Sequence, residues 1–152
     1  RKMGVLLDLI RDLIRKGPDT KILVYSQWMD SLSMLKVILE SWRVNGLIRR
    51  ENYINCLLMT RKHNYESTSV FRESKNMPVF LMLLQQGNNG LDLSVASHII
   101  IMEPILSASV CTYPVSRIAM EAQAVARVQR IGQKNETYVH YIIADDTIES
   151  KM

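Results

Sequence analysis

The sequence is poor in residues that cross-link small proteins and in long apolar runs. Its 152 residues include two cysteines, four prolines and two phenylalanines. Cys56 and Cys111 are far apart and lack metal-ligand spacing, so we predict free thiols in a reducing compartment. No apolar run reaches the roughly 18 residues of a transmembrane helix, and no signal-peptide pattern begins the chain. We therefore expect no membrane partner.

Two further absences concern ligands. The histidines, His63, His98 and His140, are scattered, and no clustered ligand set accompanies them, so the sequence predicts no metal site. No Gly-Lys-Ser/Thr follows a glycine-rich turn, which excludes a P-loop within the chain. The chain also begins at Arg1 rather than Met, and we expect it to be a piece of a longer protein.

The composition that is present is that of a globular domain. Hydrophobic residues make up 47% of the chain and charged residues 22%. The formal net charge is +4, which is compatible with a polyanionic partner but only weakly favours one. The length fits a single domain with a substantial core.

Apolar runs alternate with amphipathic segments along the chain. We predict strands over residues 21–26, 54–60, 79–84, 98–103 and 137–144, and helices over residues 2–16 (within a leading segment, 1–20), 28–44, 66–74 and 121–133. A closing helix is expected near residues 145–149. This alternation is typical of a parallel sheet with helices on both faces. The predicted fold class is α/β, a three-layer domain with a mainly parallel sheet, and residues 1–152 form one domain.

Polar residues follow three of the predicted strands, where α/β folds bind ligands. Ser26 and Gln27 end the first strand, Glu103 ends another, and the segment Gln85–Asp92 follows the most apolar one. Right-handed crossovers bring such strand ends to one edge of the sheet. Ser26 and Gln27 are equally consistent with a plain turn. The glycines of the longer segment let backbone N–H groups approach an anion, although an ordinary Gly/Asn turn is the alternative.

The stretch EAQAVARVQRIGQ, residues 121–133, carries an arginine pair. Gln123, Arg127 and Arg130 lie at i, i+4 and i+7 of a helix, and therefore on one face. Two fixed guanidiniums suit phosphate oxygens, because each presents a planar fork of donors. By spacing alone, a solvated basic face is the default explanation.

Three segments together resemble a known family. KILVYSQW, then VFLMLLQQGNNGLDLSVASHIIIMEPIL, then EAQAVARVQRIGQKNETYVHYIIADDTIES are similar to the second RecA-like lobe of SWI/SNF-type superfamily-two ATPases. The resemblance extends from Lys21 to Met152, and the RIGQ block is its most specific part. The sequence motif MEPIL most resembles that of the subgroup with a RING finger between its lobes, the SHPRH-like ubiquitin ligases.

The resemblance implies a fold and a shared nucleotide site. ATP would bind between this RecA-like lobe and a first lobe, which carries the P-loop, the Asp-Glu box and the Mg site. Arg127 and Arg130 would be arginine fingers that stabilise charge on the γ-phosphoryl group, and Gln123 would orient that helix face. Gly90 and Asp92 match the segment that approaches the nucleotide.

The resemblance also implies a nucleic-acid partner. Duplex DNA or a nucleosome would lie along segments that contact the DNA backbone without reading sequence. In this chain those segments comprise Ser26, Gln27, Gln85, Gln86, Gly87 and Asn88. The family further implies a nuclear location, a role in chromatin remodelling or DNA repair, and contact with a ubiquitin-conjugating enzyme through a RING finger that this chain lacks.

Three departures from the family pattern bear on activity. Walker A and the Asp-Glu box are absent from these residues, so the chain alone should not hydrolyse ATP. The Asp-Gly-Ser block that the family has after its second strand is missing, and residues 49–65 are divergent. The loop before the arginine stretch is longer than the pattern requires, and about residues 107–118 look like an insertion.

Two alternatives to half of a DNA translocase remain open. The chain is consistent with a non-catalytic module that binds DNA or protein without using ATP, which predicts salt-sensitive DNA binding that nucleotide does not change. A non-functional remnant would instead fold with poor cooperativity.

Overall fold

A computed structural model of the chain describes residues 2–40, 43–44, 47–48, 54–60, 64–88, 91–104, 115–129 and 136–144. The helices are α1 (Lys2–Lys16), α2 (Met29–Glu40), α3 (Asn64–Glu73) and α4 (Val115–Ala126). The strands are β1 (Ile22–Ser26), β2 (Arg43–Val44), β3 (Leu47–Ile48), β4 (Cys56–Leu58), β5 (Val79–Leu83), β6 (His98–Ile101) and β7 (Tyr138–Tyr141). A 3-10 helix, Leu84–Asn88, follows β5.

Five strands form a parallel sheet in the order β4-β5-β1-β6-β7. β1 is its centre, and every residue of β1 is buried, as expected for a strand covered on both faces. Val24 pairs with Leu81 of β5 on one side and with Ile100 of β6 on the other. The predicted mainly parallel α/β sheet is confirmed.

Helices cover both faces of this sheet and create two apolar clusters. On one face, the side chains of α1 and α2 pack on alternate strand residues such as Val24, Leu81 and Ile100. On the other face, α3 and α4 pack on residues such as Tyr25 and Phe80. Alternation along each strand sends neighbouring side chains to opposite faces, so three layers result. None of the described helices is long and apolar enough to span a bilayer.

The predicted leading helix is confirmed as α1, which buries Leu6, Leu7, Ile10 and Leu13. The predicted helix over 28–44 is too long, because α2 ends at Glu40 and Val44 lies in β2. The carbonyl of Leu39 accepts a hydrogen bond from the N–H of Ile54, which leads the chain into β4. The two-residue strands β2 and β3 pair antiparallel in a separate sheet that the sequence analysis did not predict.

Helix α4 lies earlier in the chain than the predicted helix 121–133. It begins at Val115, so residues 115–118 of the expected insertion belong to a helix, while residues 105–114 lie outside the described part of the chain. It ends at Ala126 and continues into a turn, in which the carbonyl of Val125 accepts from the N–H groups of both Val128 and Gln129, each at 3.0 Å. Such shared acceptors are common where a helix ends. The expected closing helix near 145–149 also lies outside the described residues.

Candidate functional site

The carboxyl ends of β1 and β6 are joined through one carboxylate. Oε1 of Glu103 accepts from the Ser26 hydroxyl at 2.5 Å and from the Gln27 N–H at 2.7 Å. Ser26 Oγ in turn accepts from the Trp28 N–H at 3.0 Å. The expectation that Ser26, Gln27 and Glu103 meet at one edge is confirmed. Parallel pairing of β1 with β6 is the cause, since it aligns the two strand ends.

These contacts limit what each side chain offers at the edge. Ser26 is fully buried, and its hydroxyl faces Glu103 rather than solvent, so a direct contact of Ser26 with DNA stays a prediction without support from its placement. The Gln27 side chain is partly buried and donates to the Pro104 carbonyl at 3.2 Å. The Gln27 side chain is thus tied to Pro104, and the Ser26 hydroxyl supports the turn through Glu103 and Trp28.

The segment after β5 is partly helical rather than the expected loop. Leu84–Asn88 forms a 3-10 helix in which Leu84 is buried and anchors the turn. Gln85 is exposed, whereas Gln86 is partly buried and its Oε1 atom is buried without a hydrogen-bond partner among the described residues. The backbone of Gly87 and Asn88 belongs to this helix, and Gly90 lies outside the described residues.

Asp92 turns toward α3 in this structure. Its Oδ1 atom accepts from the Ser94 N–H at 3.1 Å, and its Oδ2 atom lies 3.6 Å from the Arg72 guanidinium. Both carboxylate oxygens therefore have protein partners. The proposed contact of Asp92 with a nucleotide stays a prediction, and it would require exchange of these contacts.

Arg127 lies in the turn after α4, where it is partly buried beside Tyr25. Its Nη1 atom is buried and has no hydrogen-bond partner in the described part of the chain. Burial lowers the pKa of Arg127, and the neighbouring Tyr25 opposes that shift. Gln123 is exposed one helical turn earlier, and Arg130 lies outside the described residues. A partly buried guanidinium whose Nη1 has no partner among the described residues fits an anionic oxygen.

Sequence reasoning missed Tyr25, whose phenol is fully buried on the α4 face of β1. Burial raises its pKa to about 12, and the positive charge of Arg127 acts in the opposite direction. Its hydroxyl has no hydrogen-bond partner among the residues described. A tyrosine inside an otherwise aliphatic strand run was the signal that could have found it, because buried phenols usually have partners.

The histidines are not all scattered, which corrects the sequence analysis. Nδ1 of His98 on β6 lies 3.1 Å from Nε2 of His140 on β7, and the two rings stack with centroids 5.3 Å apart. Burial lowers the pKa of both, and His140 lowers the pKa of His98 further. The described residues contain no group of three His, Cys, Asp or Glu side chains that could hold a metal ion.

Of the two cysteines, only Cys56 lies within the described residues. It is buried, and burial, followed by the charge of Glu40, raises the pKa of its thiol to about 12. A thiol of this kind is unreactive, because the thiolate is the reactive form. Cys56 is therefore a core residue.

The model of the helicase conserved C-terminal domain family matches residues 2–132 of this chain. The chain belongs to that family. The match includes every described candidate residue of the edge, from Ser26 to Arg127. The resemblance inferred from the sequence motifs is confirmed.

Similar curated proteins are much longer than this chain. DNA repair protein rad8 of Schizosaccharomyces pombe is 30% identical over 151 residues, which are 99% of this chain and 12% of rad8. The E3 ubiquitin-protein ligase SHPRH of Homo sapiens is 30% identical over 95% of this chain and 8% of its own length. DNA excision repair protein ERCC-6-like of Bos taurus is 34% identical over 99% of this chain and 11% of its own length. Because these identities are alike, the SHPRH-like subgroup stays a prediction.

Solved structures have the same fold as this helicase C-terminal lobe. The C-terminal part of the Fun30 ATPase domain superposes with a TM-score of 0.79 at 22% identity, over 99% of this chain and 43% of that one. The SWI2/SNF2 ATPase core domain of Sulfolobus solfataricus gives a TM-score of 0.67 at 21% identity, over 95% of this chain and 26% of that one. The predicted RecA-like architecture of the second lobe is confirmed.

Proposed function

We propose that this chain is the C-terminal lobe of an ATP-dependent DNA translocase that acts in DNA repair or chromatin remodelling. The chain covers about a tenth of its curated relatives, so the activity would belong to a protein that also contains a first lobe. The family match and the names of rad8 and ERCC-6-like support the process. The placement of Arg127 supports the proposed use of ATP.

Arg127 is the residue whose geometry best fits a nucleotide. Its guanidinium is partly withdrawn from solvent at the end of α4, and its Nη1 donor lacks a partner among the described residues. A bound ATP would supply the γ-phosphoryl group, on whose oxygens negative charge lies in the transition state. A positioned guanidinium stabilises that charge without reorganisation, an effect of about a thousandfold or more in rate.

The other nucleotide residues have secondary roles in this proposal. Arg130 would be the second finger, Gln123 would orient the exposed face of α4, and Gly90 and Asp92 would approach the nucleotide. The Glu103 carboxylate already accepts from Ser26 and Gln27, and the family pattern assigns the Mg site to the first lobe. Mg would therefore be bound through the first lobe.

The DNA surface would lie beside this site at the same edge. Gln27, Gln85, Gln86, Gly87 and Asn88 provide amide groups and backbone N–H groups, which position a phosphate backbone without reading its sequence. The formal charge of +4 favours such a polyanion weakly. A nucleosome as substrate, a nuclear location and a RING-linked ubiquitin-conjugating enzyme extend the proposal by analogy with the relatives.

The test is Arg127→Ala in a two-lobed protein that contains this chain. We expect DNA-stimulated ATP hydrolysis to fall by about a thousandfold, while DNA affinity is retained, because the lost contact forms in the transition state. Arg15→Ala is the matched control, since Arg15 is exposed near the end of α1, the helix on the opposite face of the sheet. Persistent ATP hydrolysis in Arg127→Ala would refute the finger assignment. DNA binding that nucleotide does not alter would instead favour a non-catalytic module.

A further inference from the structure

Three buried polar atoms near the carboxyl edge lack hydrogen-bond partners among the described residues. They are the Tyr25 hydroxyl, Gln86 Oε1 and Arg127 Nη1. A buried donor or acceptor without a partner lowers stability, and native proteins retain few of them. Such atoms occur where a ligand or a second conformation completes the pairing.

The three side chains belong to elements that meet on one face of the sheet. Tyr25 is the penultimate residue of β1, and its ring packs in the same apolar cluster as Ala124 and Val128. These two residues bracket Arg127 in the chain. The 3-10 helix that carries Gln86 packs against α4. The positive charge of Arg127 also acts on the pKa of Tyr25, which is expected for neighbouring groups.

The chemistry of the three atoms is complementary. A guanidinium only donates, a phenol both donates and accepts, and an amide oxygen only accepts. An N–H of Arg127 can therefore donate to the Tyr25 oxygen, and the Tyr25 O–H can donate to Gln86 Oε1. One chain of two hydrogen bonds would satisfy all three atoms, with the phenol at its centre.

We propose that Tyr25 is a positioning residue for Arg127, and that closure of the ATP cleft draws Arg127 and Gln86 into hydrogen bonds with the Tyr25 hydroxyl. The inference rests on the proposed function and deepens it. The phenol fixes the guanidinium for catalysis and couples it to the 3-10 helix on the DNA side. Before closure, the three buried atoms without partners lower the stability of the lobe, and closure would pair them.

The first test is Tyr25→Phe, which removes only the hydroxyl. In the two-lobed protein we expect kcat for DNA-stimulated ATP hydrolysis to fall about tenfold with KM for ATP unchanged, because a hydrogen bond to a charged group is lost in the transition state. In the 152-residue chain we expect the midpoint of thermal unfolding to rise, because an unpaired buried hydroxyl is removed. If the role of Tyr25 were purely structural, Tyr25→Phe would lower the thermal midpoint together with kcat.

Tyr138→Phe is the matched control, since Tyr138 is an exposed tyrosine on the edge strand β7 and its hydroxyl contacts Glu136. It should leave kcat unchanged. A second pair of variants tests the coupling. In an Arg127→Lys background with residual activity, Tyr25→Phe should lower kcat by less than it does in the unmodified protein, because the guanidinium that the phenol positions is already missing.

The outcomes separate this inference from the function on which it rests. If Arg127→Ala leaves ATP hydrolysis intact, the proposed finger fails. If Arg127→Ala abolishes hydrolysis but Tyr25→Phe keeps kcat within about twofold of the unmodified protein, the positioning role alone is overturned. A fall in the thermal midpoint of Tyr25→Phe would also overturn it, because the hydroxyl would then already be paired in the open lobe.

Discussion

Removal of the Glu103 carboxylate should open the carboxyl edge of the sheet. In Glu103→Ala, the Gln27 N–H loses its acceptor, and the buried Ser26 hydroxyl keeps only the longer contact with the Trp28 carbonyl, at 3.3 Å. Hydrogen bonds to a charged group contribute about 1.5–3 kcal/mol each, which gives about 3–6 kcal/mol if the site stays dry. Glu103 is only partly buried, so water can replace part of the loss, and we expect ~3 kcal/mol.

Glu103→Gln separates charge from hydrogen bonding. The amide oxygen can occupy the position of Oε1 and accept from the same two donors, so we expect a loss of only ~1 kcal/mol. For a domain of this size, 1 kcal/mol shifts the thermal midpoint by about 2–4 °C. The expected shifts are therefore ~6–12 °C for Glu103→Ala and ~2–4 °C for Glu103→Gln.

Thermal unfolding of the 152-residue chain, followed by circular dichroism at pH 7, measures both shifts. Glu73→Ala is the matched control, because Glu73 is exposed at the end of α3, and its effect should stay within about 0.5 kcal/mol. Equal shifts for Glu103→Ala and Glu103→Gln, or a shift below about 2 °C for Glu103→Ala, would show that Glu103 does not hold the two strand ends together.

Two further predictions concern groups away from this edge. The Lys21 ammonium donates to the Phe71, Ser74 and Met77 carbonyls near the end of α3. Lys21→Met should therefore lower the free energy of unfolding, measured with urea, by ~2 kcal/mol. The control Lys16→Met, at the exposed end of α1, should leave that free energy almost unchanged. The pKa values of His98 and His140 are lowered in the folded chain from the ordinary histidine value of 6.5. As the pH falls below 6.5, the unfolded chain therefore binds more protons than the folded chain. Stability from this pair should be present above pH 6.5 and be lost as the pH falls through the folded pKa values. His140→Phe should weaken that loss, and an unchanged pH profile would contradict the reasoning.

The sheet could be predicted because its strands are strongly apolar. β1 and β5 are buried at nearly every position, and continuous apolar runs such as ILVYS leave no polar face to mislead the assignment. The meeting of Ser26 with Glu103 followed from parallel strand ends alone. Local pattern and tertiary structure agree in these elements.

Other features depend on contacts that no local pattern records. The early end of α2 is accompanied by a hydrogen bond from the Ile54 N–H to the Leu39 carbonyl, and in the turn at Arg127 one carbonyl accepts from two N–H groups. The adjacency of His98 and His140 requires knowledge that β6 and β7 are neighbours. In the same way, the strand pattern could have pointed to a buried Tyr25, but its position near Arg127 depends on the packing of α4.

The central position of β1 has a consequence for synthesis. β1 is synthesised before both of its sheet neighbours, and Ser26 must wait for Glu103, which lies 77 residues later in the chain. At about 5–20 residues per second, that interval lasts roughly 4–15 s. For most of that interval the apolar strand lacks both β5 and β6, because β5 begins only at Val79, so the nascent chain is exposed to aggregation and to chaperone binding. Among the described strands of the five-stranded sheet, the most buried one is thus the one that waits longest for a partner strand.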